Sequence, residues 1–172
     1  MIMPRGQPLL LPVNPLFIGL TIMVGLMLNL LPLGRGVWLP DMLLLVLVFW
    51  GVHEPNRVGM GWAFLLGLCM DVHQSALLGQ HAIIYAGVMF GVLLVRRRIT
   101  WLSVWAQAVH VLPLFMAADI AQVLMRMLMR GGFPGWGFIT PSLWAALLWP
   151  VVSWLLLLPQ RQPPDHDDNR PL

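Results

Sequence analysis

Six apolar runs separated by short polar breaks fill residues 15–158, and they decide most of what this chain can become. A bilayer core about 30 Å thick is crossed by about 20 apolar residues in helical form. The runs extend from Pro15 to about Leu33, Trp38 to Val52, Val58 to Met70, Ser75 to Val95, Trp101 to about Met129, and Ile139 to Leu158. The length of the first, and its lack of a small-residue cleavage site, argue against a removable signal peptide. The second and third are short for a perpendicular crossing, so polar flanks or locally thin lipid are expected at their ends. The fifth is long enough to tilt strongly or to bend near Pro113. Only 10% of the 172 residues are charged, against about 25% in a soluble domain. A large core cannot account for the missing charge, because so short a chain leaves much of its surface in water. Hydrophobicity excludes disorder, and a single cysteine excludes a disulfide scaffold. The expected fold is all-α: a polytopic membrane protein with six transmembrane helices in residues 1–158. A polar, proline-rich tail, residues 159–172, should be disordered in the cytoplasm.

All ten basic residues are arginines, and they punctuate the apolar runs instead of forming one stripe, which speaks against nucleic-acid binding. With six crossings, Arg5, Arg57, Arg96, Arg97, Arg98, Arg161 and Arg170 share one side, and Arg35, Arg126 and Arg130 the other. Seven against three places both termini in the cytoplasm under the positive-inside rule. Trp38, Trp50, Trp101, Trp136 and Trp154 lie near predicted segment ends, where an indole suits the headgroup layer. Trp62, Trp105, Trp144 and Trp149 sit further inside as packing or lipid-facing residues. Cys69, inside an apolar segment, reads as an inert buried thiol.

An ionisable residue inside a span costs about 2.5–3.5 kcal/mol on insertion scales, so each one asks for a reason. Glu54 lies in a polar turn, where Arg57 is its natural partner. Asp41 follows Pro40 at the start of the second run and suits a helix N-terminus. Asp71 follows Gly67 by four residues, on the same helix face, and precedes His73, Gly79 and His81. It reads either as part of an acid–histidine site or, with more weight, as a cap or histidine partner fixing the turn. No recognised metal-ligand spacing joins Asp71, His73 and His81. Asp119, Gln122, Arg126 and Arg130 fall within about 80° of one helical face. That stripe faces the bundle interior, a vestibule or a partner helix; otherwise Asp119 pairs with an arginine internally. Gly87 and Gly91 form a GxxxG step, and Gly25 with Asn29 a small/polar pair, both suited to close helix packing. There is no nucleophile elbow, HExxH, CxxC or phosphate-binding glycine loop, and the connections are too short for a catalytic domain.

Pro40, Trp50, Pro55, Arg57, the Gly67-Leu68-x-x-Asp71 helix end, and Leu78-Gly79-x-His81-Ala82 occur in an order that resembles the MreD family. The six-span plan extends the resemblance over nearly the whole chain. It implies a non-enzymatic scaffold of the bacterial inner membrane, part of the machinery that sets rod shape and links the cytoskeleton to peptidoglycan synthesis. It also implies MreC as the direct partner, and MreB, RodZ and RodA with its transpeptidase partner as the wider complex. No cofactor is implied. The bundle is expected to be similar to the substrate-binding components of energy-coupling vitamin transporters. A small-solute-binding transporter component is therefore the rival function, with Asp71, His81, Asp119 and Arg126 as its polar pocket. An intramembrane enzyme ranks third.

Overall fold

The computed structural model describes residues 13–31, 40–133 and 135–160, apart from the side chain of Arg130. Its six α-helices fall on the six apolar runs: α1 (Pro15–Leu30), α2 (Met42–His53), α3 (Met60–His73), α4 (Gln80–Ile99), α5 (Val104–Arg130) and α6 (Thr140–Leu157). A 3₁₀ turn, Trp136–Ile139, leads into α6, and another, Leu158–Gln160, follows it. Trp38, Arg5, Arg35 and residues 161–172 lie outside the described residues.

The helix starts are written locally. Asn14 accepts from the Leu16 N–H at 3.0 Å, and Pro15 occupies the first helical turn of α1. Asp41 accepts from Leu44 N at 2.9 Å, as its position after Pro40 suggested. Ser103 opens α5, which then runs unbroken through Pro113. By contrast, α4 starts at Gly79 with no side-chain cap of its own; its cap comes from α3, as described below.

The short helix α2 is the centre of the bundle. It packs against α1, α4 and α6, while α3 packs on α4, α4 on α5, and α5 on α6. Nine of its twelve residues are buried, which is why it is apolar all round and lacks a distinct polar face. At about 1.5 Å per residue its length is only about 18 Å. Protein surrounds most of that length, so α2 need not match the lipid thickness by itself. Phe49 and Trp50 (centroids 5.1 Å apart) and Trp149, 6.1 Å from Phe49, form its aromatic core. The Trp50 indole donates to Thr21 Oγ1 at 2.9 Å, and the Trp149 indole to Gln107 Oε1 at 3.3 Å. Trp50 is thus a core residue and not the boundary residue its sequence position suggested. Its polar N–H has a protein partner and needs no headgroup.

The outer surface carries the remaining apolar residues. Leu16, Leu20, Met23 and Met27 of α1, Trp62 and Leu65 of α3, and Leu147 and Val151 of α6 are all exposed. Cys69, expected to be buried, is also on this outside surface. Two stretches, Val104–Met129 and Trp136–Gln160, are long and apolar enough to cross a membrane; α1, α2 and α3 are shorter apolar helices. The outside is apolar and much of the polarity is inside, as lipid solvation requires.

Candidate functional site at the polar end of the bundle

The ends of α1, α3 and α5 and the starts of α2, α4 and α6 meet at one end of the bundle. Asp41, at the start of α2, ties three helices there. Its Oδ1 accepts from Asn29 Nδ2 at 2.6 Å, and the Asn29 carbonyl oxygen accepts from Met42 N at 3.0 Å. The Tyr85 hydroxyl of α4 donates to Asp41 Oδ2. Gly25 eases this approach, since a Cβ there would lie a tight 3.3 Å from the Met42 carbonyl oxygen.

Asp71, fully buried, does for α4 what a local cap would otherwise do. Its Oδ2 accepts from Gly79 N at 2.8 Å and Ala82 N at 3.4 Å. Its Oδ1 accepts from His81 N at 2.7 Å and lies 2.8 Å from His81 Nδ1. Facing an acceptor-only carboxylate, Nδ1 is the donor. The first N–H groups of a helix have no partners within it, and they carry its positive end, so a carboxylate answers both needs. Two glycines shape the contact. Gly79 adopts φ +100°, a left-handed conformation that side chains disfavour. At Gly67 a Cβ would come within 2.5 Å of Ala82 Cα, so only glycine lets α3 lie directly on the α4 backbone. The reading of Asp71 as cap and histidine partner agrees with this geometry. His73 is exposed and takes no part.

The polar stripe of α5 divides. Asp119 turns inward and accepts from the Ser142 hydroxyl at the start of α6. Gln122 shares a cleft with Asp119, Asp41 and Ser142. Arg126 points outward, its Nη2 3.5 Å from Gln122 Oε1. Among the described residues, the internal Asp119–arginine pair considered from sequence is not formed. Arg126 lies about 10 Å further along the helix axis, whereas the Ser142 hydroxyl is in reach. Among the described residues the pair of opposite formal charges is Glu54–Arg57, at 3.8 Å as its turn suggested, beside the Asp71–His81 contact. Gly87 and Gly91 divide too. A Cβ at Gly91 would meet Leu114 Cδ2 of α5 at 2.9 Å, while Gly87 has open space around it. Four residues advance a helix by about 400°, and the 40° offset is enough to separate an inward from an outward position.

Asn29, Tyr85 and Ser142 complete the cluster, and sequence reasoning did not bring them to it. Tyr85 follows His81 by four residues, so the two share a face, with ring centroids 6.0 Å apart. That spacing was the available sign. The cleft between Asp41 and Asp119 leaves only about 10 Å³ for the centre of a water-sized sphere, enough for about one water molecule. Among the described residues no group of three or more His, Cys, Asp or Glu side chains is placed to hold a metal ion. Each of the three aspartates is engaged by donors of its own chain, so the cluster joins helices and presents no unengaged carboxylate.

A model of the family described as rod shape-determining protein MreD matches residues 11–158, a region that contains all six helices. The Rod shape-determining protein MreD of Haemophilus influenzae (strain ATCC 51907 / DSM 11121 / KW20 / Rd) is 32% identical over 127 residues, 74% of this chain and 76% of that protein. No solved structure matches the chain. With the Gly67–Asp71 and Gly79–Ala82 segments forming one interlocked contact inside the matched region, the chain belongs to the MreD family of rod shape-determining proteins.

Proposed function

We propose that this protein is a non-enzymatic scaffold of the rod-shape machinery. Its six helices cross the bacterial inner membrane with both termini in the cytoplasm. Its lipid-facing surface binds MreC, and through that contact it joins MreB, RodZ and RodA with its transpeptidase partner. The observation that carries this reading is the state of three aspartates, Asp71 fully buried and Asp41 and Asp119 half-buried. Asp41, Asp71 and Asp119 are each engaged by Asn29, Tyr85, Ser142 or the start of α4, and the cleft between Asp41 and Asp119 has room for about one water. Small-molecule pockets run from about 300 to 1,000 Å³. A second, mostly apolar pocket of about 120 Å³ beside the start of α4, lined by Leu77, Leu78, Ile83 and Met125, is also below that range, so the likeness to vitamin-binding transporter components is proposed as architecture and not as a ligand site.

Helices meeting in lipid gain little from hydrophobicity and depend on close packing and a few polar contacts. Gly87, open on the outer face of α4, and Arg126, exposed near the end of α5, are the proposed contact points. Gly87→Leu should reduce MreC recovered on co-purification about fivefold to tenfold, equivalent to about 1–1.4 kcal/mol, at normal protein level. Arg126→Ala should weaken recovery less. Arg130 belongs to the same rim by sequence. Gly91→Leu is the contrasting variant, because it collides with Leu114 and should lower protein stability itself. Full MreC recovery and rod-shaped cells with both Gly87→Leu and Arg126→Ala would rule out this face. Retention of a small solute without MreC by the unmodified protein would overturn the scaffold.

The topology is tested separately. A reporter active only outside the cytoplasm should be silent when fused after Leu172 and active when inserted within residues 131–137. The reverse pattern would refute the seven-to-three arginine argument.

A further inference from the structure

We propose that the junction of α4 and α5 is a binding site for anionic phospholipid headgroups, formed by Arg96, Arg97, Arg98, Trp101 and Trp105. The site rests on the membrane-spanning placement proposed above. Arg97 and Arg98 are exposed and Arg96 half-buried at the last turn of α4. Among the described residues none of the three guanidinium groups forms an ion pair. The backbone beneath them is held firmly: Ile99 is fully buried, Thr100 N–H donates to Arg96 O at 3.0 Å, and Leu102 N–H donates to Ile99 O at 3.0 Å. This tight turn is followed at once by two indoles on the outside, Trp101 at 90% exposure and Trp105 at 72%.

A single cation would serve the negative end of the α4 dipole, but three arginines in succession sweep about 200° around the helix axis. One face of a protein partner cannot meet so wide an arc. A layer of headgroups surrounding an emerging helix can. Guanidinium groups match phosphate oxygens in charge and geometry, and indoles favour the same depth of the bilayer. The chemistry therefore points to anionic phospholipid and not to an acidic protein surface.

The test uses the full chain in phosphatidylcholine vesicles containing an equal mole fraction of either brominated phosphatidylglycerol or brominated phosphatidylcholine, with tryptophan quenching as the readout. The anionic lipid should show an apparent preference of about fivefold, the effect of about 1 kcal/mol from one well-placed arginine. Raising the salt from about 0.05 to about 0.5 M should reduce it. The triple variant Arg96→Gln, Arg97→Gln, Arg98→Gln should abolish the preference, and the corresponding triple lysine variant should retain most of it. Trp101→Phe with Trp105→Phe should remove the excess quenching by the anionic lipid. Equal quenching by both lipids in the unmodified protein, or an excess that survives the glutamine or phenylalanine variants, would overturn the site. Quenching by neither lipid would instead show that the chain is not embedded, which defeats the membrane-spanning reading along with it. A preference for an acidic protein partner that persists without anionic lipid would assign the arginines to that partner.

Discussion

Asp71→Leu should be among the most damaging single substitutions in this protein, lowering its stability by at least about 3 kcal/mol. A leucine removes both carboxylate oxygens while leaving three backbone N–H groups and the His81 Nδ1–H without their present acceptor. A buried donor left unsatisfied costs about 1–3 kcal/mol, and these four lie at one point of the bundle. Because α4 has no side-chain cap of its own, the turn into α4 has no local substitute. Thermal unfolding in detergent and the steady-state level in membranes should both fall. Asp71→Asn should be intermediate. It retains one acceptor oxygen, but its amide nitrogen is a donor and must face another donor in this arrangement. A leucine variant with the parent's melting temperature and abundance would show that Asp71 does not hold the α3–α4 contact. A stable asparagine variant without any function would mean that the charge itself is essential.

Gly67→Val is the second large effect, expected at about 3 kcal/mol, the upper end of the usual scale of overpacking. The clash is with backbone: a Cβ would stand 2.5 Å from Ala82 Cα and 2.6 Å from Ala82 N. No rotamer change relieves it, so α3 and α4 must separate. Separation also stretches the Asp71 hydrogen bonds one turn away, and the two losses should not be additive. Gly67→Ala should show the same effect in weaker form. Gly61→Ala in the same helix has open space around its Cβ and should leave stability unchanged or slightly raised, by up to about 1 kcal/mol. Equal melting temperatures for Gly67→Val and Gly61→Ala would refute the close approach.

Asp71 and Gly67 were legible in the sequence because their chemistry is local and costly. A carboxylate one turn after a glycine, followed by a short loop and a histidine, has few uses inside an apolar chain. The same logic identified Asp41 as a helix start and Glu54 as the partner of Arg57. It did not reveal that Asn29 and Tyr85 converge on Asp41, or that Asp119 bonds Ser142. Those partners are 12, 44 and 23 residues away in sequence. A polar residue announces that it needs a partner without naming it.

The helical class and the approximate positions of the six helices follow from the sequence alone, whereas their ends shift by up to five residues, as at α4. Backbone groups in a lipid-like environment must be satisfied within each segment, so the length of an apolar run nearly defines an element. Which face of each helix turns inward was decided only by the tertiary structure. In a soluble protein, water sorts the faces, and the hydrophobic period records the result. Here the core and the surrounding lipid are equally apolar, so little distinguishes Trp50 in the core from Trp62 outside, or Gly91 against Leu114 from Gly87 in the open. Cys69 on the outer surface and α2 at the centre have the same origin. Shape complementarity between helices placed them, and it is a property of pairs of surfaces that no single apolar run contains.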